Sequence, residues 1–149
     1  MTYPLIELEV DLSIDERYIF SQCRFVFESV VVGDYEQVVL AKSLLSAFED
    51  LVFRLDRLEL VACSQGDMED AICSTLQRDM KNSCLPLGVE SFDGDQAIFV
   101  NVSGQSFILI KPWGACKVFS ERLSVSQYRS SIVSAINILK RRMETLRMV

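Results

Sequence analysis

The sequence predicts an α+β domain: an antiparallel sheet of about five to six strands with about three helices packed on it, all within one unit spanning 1–149. Three observations predict it. Apolar and acidic residues alternate with a period of two over 6–12, the mark of a strand with one wet face. Two long stretches repeat apolar residues every three or four positions, as a helix with one buried stripe does. Short apolar runs between 97 and 121 are divided by Gly-containing turns, which reads as a meander.

Taken in order, Ile6, Leu8, Val10 and Leu12 alternate with Glu7, Glu9 and Asp11 and form the first strand. Asp15-Glu16 marks a turn. The run from Arg17 to Val32 is rich in aromatic and β-branched residues, and Ile19, Cys23, Phe25 and Phe27 share a face. It exceeds the usual strand length, so it is expected to bend or reverse near Glu28-Ser29. A helix follows Gly33, with Asp34 as its N-cap, Glu36 and Gln37 in its first turn, and Val38, Ala41, Leu45, Phe48, Val52 and Leu55 as its stripe. Residues 57–66 read as a loop or a short strand through Leu58, Leu60 and Ala62.

A shorter helix is expected from about Asp67 to Met80, burying Ile72, Leu76 and Met80, with Asp67, Glu69 and Asp70 in its first turn. Three strands then run over 97–102, 107–111 and 116–121. Their turns lie at Asp93-Gly94-Asp95, Ser103-Gly104-Gln105 and Pro112-Trp113-Gly114. The last helix begins near Ser124 or Ser126 and buries Ile132, Ala135, Ile136, Leu139, Met143 and Leu146. Lys140, Arg141, Arg142 and Arg147 gather toward its C-terminal end, where cations complement the dipole.

Charge is divided unevenly along this plan. Residues 1–100 hold 19 acidic against 7 basic side chains, and residues 101–149 hold 2 against 8, within an overall net charge of −6. An acidic body of this kind steers cationic partners toward itself. No stretch reaches the roughly 18 uninterrupted apolar residues of a membrane span, so no membrane partner is expected. Met1 to Glu7 lacks the basic region of a secretory signal, and the chain reads as cytoplasmic. Five scattered cysteines with no C-x-x-C pair fit reduced thiols, with Cys23 and Cys116 in apolar strand-like runs.

Several chemistries lack their residues. There is no histidine, hence no Ser-His-Asp or Cys-His pairing and no His-ligated metal; no catalytic residue, metal or cofactor is expected. The glycines stand apart, without a phosphate-binding G-x-G-x-x-G or G-x-x-x-x-G-K. Lys140-Arg141-Arg142 is short and lacks interleaved aromatics, so nucleic acid is not an expected partner. Asp93-Gly94-Asp95 reads first as a turn, with too few ligands in register for a calcium loop.

The acidic groups are the better binding candidates: Glu7, Glu9 and Asp11 on one strand face, Asp34 with Glu36, Asp67 with Glu69 and Asp70, and the pair Asp93 and Asp95. Solvation and helix capping are the ordinary explanations of each group taken singly. Trp113 reads either as a core plug or as an exposed interface anchor.

Arg24-Phe25-Val26-Phe27, followed by Val32-Gly33-Asp34-Tyr35-Glu36 and a Leu-rich helix, resembles the G-R-F-x-F-W … I-G-D-Y-[ED] … L pattern of the bacterial immunity proteins called immunity protein 42. The chain departs from that pattern with Cys23 in place of glycine and no tryptophan after Phe27. The resemblance implies a non-catalytic inhibitor of a cognate protein toxin from polymorphic-toxin or contact-dependent growth inhibition systems. It implies blockage of the toxin's active site or substrate entry. For a nuclease toxin with a basic cleft, acidic residues within 1–100 would stand in for nucleic acid phosphates. A monomer or weak homodimer is expected. The alternatives are a small acidic secretion chaperone, disfavoured by an opening strand where such proteins open on a helix, and a carboxylate enzyme with a deep pocket.

Overall fold

The computed structural model describes residues 3–147, and they form an α+β unit of eight strands and three helices. The strands divide into two four-stranded sheets rather than joining in one. In the first, β1 (Leu5–Leu12) and β2 (Ile19–Val26) make an antiparallel hairpin in which Leu5 faces Val26 and Leu12 faces Ile19. The short β3 (Val31–Val32) and β4 (Val39–Leu40) both pair antiparallel with β2, at opposite ends of it. The reversal expected near Glu28-Ser29 is there, closed by the Phe27 N–H donating to the Val30 carbonyl at 2.9 Å.

In the second sheet, β5 (Val61–Ala62) lies parallel to β6 (Gln96–Val102). Strands β6, β7 (Gln105–Lys111) and β8 (Phe119–Arg122) form the antiparallel meander. Ser103 and Gly104 both take positive φ, the two-residue turn whose twist suits a tight hairpin. Helices α1 (Ala41–Leu55), α2 (Met68–Arg78) and α3 (Val125–Arg147) complete the fold.

Two sheets form because the strands differ in how many faces they bury. The first sheet buries one face alone, where Cys23, Phe25 and Phe27 point inward beside α1 and α3. Strands β6 and β7 are apolar on both. Ala97, Phe99, Ile108 and Ile110 join the main core, while Ile98, Val100 and Leu109 pack under Ile72 and Leu76 of α2. A strand covered on both faces must be apolar throughout, which is why Ala97–Val100 and Ile108–Ile110 are unbroken apolar runs. Phe25, wholly buried, is the aromatic centre of the main core, with ring centroids of Phe48, Phe92 and Tyr128 at 6.1, 5.0 and 6.4 Å.

Glu121 of β8 ties the sheets together. Its carboxylate accepts the N–H groups of Glu28 at 3.1 Å and Ser29 at 2.8 Å and the Ser29 hydroxyl, all in the β2–β3 turn.

Several elements begin or face differently from expectation. Helix α1 starts at Ala41 rather than just after Asp34, because Val39 and Leu40 are held extended by pairing with Ser21 and Phe20. Its buried face is Ala41, Leu44, Ala47, Phe48, Leu51 and Leu55; Val38 is exposed, and Leu45 and Val52 are half-buried. Helix α2 stops at Arg78 and leaves Met80 exposed. Cys116 is exposed, since β8 begins only at Phe119, whereas Cys23 and Cys84 are buried. Burial pushes the Cys84 thiol up to about 12 and raises Cys23 further, so both stay protonated and behave as small apolar groups.

Candidate functional site

Gly33 and the segment around it set the geometry. Gly33 has φ +99°, and a Cβ there would lie 2.9 Å from the ring of Phe92, 3.2 Å from the Arg24 Cα and 3.3 Å from the Cys23 carbonyl oxygen. Only glycine lets the chain pass so close over β2 in that conformation. Beyond it, Asp34 does not cap α1. Its Oδ1 accepts the Glu36 N–H at 3.0 Å and its carbonyl accepts the Gln37 N–H at 3.1 Å, so it closes a local turn instead. Its own N–H donates to the Ser91 carbonyl at 2.7 Å, which fastens this turn to 90–92, a short 3-10 turn.

Asp95 is the other fastener. Its Oδ2 accepts the Gly33 N–H at 3.1 Å, and its Oδ1 accepts the Trp113 N–H at 2.9 Å. One half-buried carboxylate thus ties the Gly33 loop of the first sheet to the Pro112-Trp113-Gly114 turn of the second. Trp113 lies against Gly94, whose φ of +80° and missing Cβ leave room for the indole. Trp113 as a whole is 78% exposed, so it is not a core plug.

These residues enclose an open cleft of about 550 Å³. Four carboxylates line it, Asp34, Glu90, Asp93 and Asp95, beside Trp113 and with no basic side chain in the lining. Ser91 lines it too; the residue is 2% exposed, and its hydroxyl has no hydrogen-bond partner among the described residues. An aromatic face flanked by carboxylates is suited to a guanidinium or ammonium group, attracted by both the ring quadrupole and the acids.

Burial, above all, raises the Asp95 carboxyl above its ordinary value; the Trp113 and Gly33 N–H groups pull it back, and Asp34 and Asp93 add to the rise. The folded protein therefore holds this proton more tightly than the unfolded chain. The stability tied to Asp95 is fully present below the ordinary aspartate value of 3.8 and is lost as pH rises through its higher folded value. The expected result is a wild-type-minus-Asp95→Asn difference in unfolding free energy that falls with rising pH across that window and is level above it. Urea titrations on both sides of the window measure it, and a difference that rises with pH would refute the assignment.

The remaining acidic candidates are placed elsewhere. Glu7, Glu9 and Asp11 do form one row on the open face of β1. Glu7 pairs with Arg24 across the hairpin at 3.0 Å, and Arg24 lies 5.1 Å from the Tyr35 ring centroid. The Tyr35 hydroxyl donates to Glu9 at 3.4 Å, and Gln22 donates to the Tyr35 carbonyl at 2.7 Å, so this row borders the Gly33–Tyr35 loop. Glu36 is exposed on the same loop.

Asp67, Glu69 and Asp70 do not line the cleft. Asp67 accepts the Ser64 hydroxyl at 2.6 Å, and Glu69 pairs with Lys111 at 3.0 Å on the α2 side of β7. The sequence reading missed Glu90 and Ser91, because only the folded connection between α2 and β6 carries them to Asp34; neither stands in a motif. Among the described residues, no group of three or more His, Cys, Asp or Glu side chains could hold a metal ion, and no helix is long and apolar enough to cross a membrane.

Comparison with family models, curated proteins and solved structures finds no match for this chain.

Proposed function

We propose that the protein is a non-catalytic inhibitor that binds and neutralises a cognate toxin domain, a nuclease with a basic substrate cleft, in the cytosol. The observation that carries this reading is the convergence of Asp34, Glu90, Asp93 and Asp95 around the exposed Trp113 on one open cleft. A basic side chain of the toxin would enter here, its charge met by the carboxylates and its face by the indole. The neighbouring row Glu7, Glu9 and Asp11 extends the negative field and speeds encounter. The motif resemblance at Arg24–Phe27 and Gly33–Glu36 points to the same class of partner.

Co-expression with a candidate toxin domain, read as bacterial growth, tests the function. Charge reversal by Asp34→Lys with Asp93→Lys is expected to slow association by about tenfold or more at low salt, with the difference shrinking as salt rises. Equal protection and equal association rates in wild type and variant would sink the electrostatic reading.

A second reading is a chaperone for a secreted effector, favoured by the exposed apolar side chains of Leu5, Val31 and Leu40 on the first sheet. The state of the partner separates the two. A folded toxin domain must bind under the first reading, and only an unfolded segment under the second.

A further inference from the structure

A second concavity has the opposite polarity. It lies where the β1–β2 hairpin, the start of α1 and the end of α3 meet, and its volume is about 600 Å³. Leu12, Ile19, Met143 and Leu146 supply apolar walls. Arg17, Lys42 and Arg147 supply three cations, against Glu16 as the one acid of the lining.

Three like charges around one opening repel each other, and the local structure does little to offset this. Lys42 stands in the first turn of α1, the end of a helix where a cation is unfavourable, and that turn holds no acidic residue. Arg17 reaches Asp15 only at 3.9 Å, with both side chains mostly exposed. Among the described residues, neither Lys42 nor Arg147 has an ion-pair partner. A chain of net charge −6 that gathers cations over an apolar hollow offers a counter-charge and a dry surface at one place.

We propose that this groove is a binding site for an amphipathic anion, a single carboxylate carried on an unbranched alkyl tail. The tail lies along Leu12, Ile19, Met143 and Leu146, and the carboxylate faces Lys42 and Arg147 at the rim. The volume falls within the range of about 300–1,000 Å³ that small-molecule sites occupy. A flat membrane surface cannot reach concave walls, which favours a single detached amphiphile over a bilayer. The site is separate from the Trp113 cleft, and no residue lines both.

Octanoate, used below its micelle-forming concentration, is the probe, with binding followed by calorimetry and by the methyl resonance of Met143 on isotope-labelled protein. Octanoate is expected to saturate one site and shift the Met143 methyl. Acetate, which lacks the tail, and 1-octanol, which lacks the charge, are expected to bind about tenfold more weakly or worse. Reversal of two exposed rim charges, Lys42→Glu with Arg147→Glu, is expected to weaken octanoate about tenfold, and neutral Lys42→Gln with Arg147→Gln by less. The proposal is overturned by any of four results: no octanoate binding, equal binding of 1-octanol, equal binding by the reversed variant, or binding that leaves Met143 unmoved. None of these bears on toxin binding.

Discussion

Arg54→Ala is expected to cost about 3–5 kcal/mol of folding stability, a large share of the roughly 5–15 kcal/mol that holds a domain together. Arg54 is 8% exposed on the inner face of α1. Its Nη1 donates to the Ser83 carbonyl, its Nη2 to the Leu85 carbonyl at 3.0 Å, and its Nε to Asp50 at 2.9 Å. The intervening carbonyl, that of Cys84, accepts the buried Tyr128 hydroxyl from α3. Three successive carbonyls of the α2–β6 connection are therefore satisfied by side chains from two helices.

Alanine strands two of those carbonyls away from water, at about 1–3 kcal/mol each, and removes the packed stem of the arginine as well. Arg54→Lys is expected to recover less than half of the loss, because an ammonium cannot span two carbonyls and a carboxylate with the guanidinium's fixed fork. Asp50→Asn should cost under about 1 kcal/mol, since Asp50 is exposed. Urea unfolding midpoints measure all three, and an Arg54→Ala loss below about 1 kcal/mol would contradict the clamp. The same connection runs on to Glu90, Ser91 and Asp93, so this anchor also places the cleft.

Trp113→Ala is expected to separate binding from folding. The indole is mostly exposed and touches Gly94, so its removal should change stability by less than about 1 kcal/mol. Under the proposed function the indole anchors the toxin interface, and its loss should weaken the complex by about 2–4 kcal/mol, or roughly 30- to 1,000-fold, mainly through faster dissociation. Calorimetry or surface-binding kinetics with the folded toxin domain reads this directly. A loss below about threefold in a variant with unchanged unfolding would place the contact away from the cleft. Trp113→Phe should retain part of the affinity, because an aromatic face remains for the incoming cation.

Local pattern was legible in the residues wherever one face of an element meets water. The alternation at Ile6–Leu12, the reversal at Glu28-Ser29, the turn at Ser103-Gly104 and the stripe Ile132–Met143 each carry their periodicity in adjacent side chains, and each stands where it was expected. Where pairing at a distance competes with local preference, the residues mislead. Asp34 has the chemistry of a helix cap, yet Val39 and Leu40 are claimed by β2 before a helix can start. The unbroken apolar runs in β6 and β7 are those of strands covered on both faces, but nothing local reveals that α2 is the element covering the second face.

The candidate site shows the same division. Sequence alone determined the α+β class, the acidic character of residues 1–100 and the chemistry of Asp34, Asp93, Asp95 and Trp113 as separate groups. Tertiary structure decided that these four share one cleft, that Glu90 and Ser91 join them, and that Asp67, Glu69 and Asp70 do not. The physical reason is the pair of hydrogen bonds at Asp95, which draws Gly33 to Trp113 across about 80 residues of chain that no local periodicity can span.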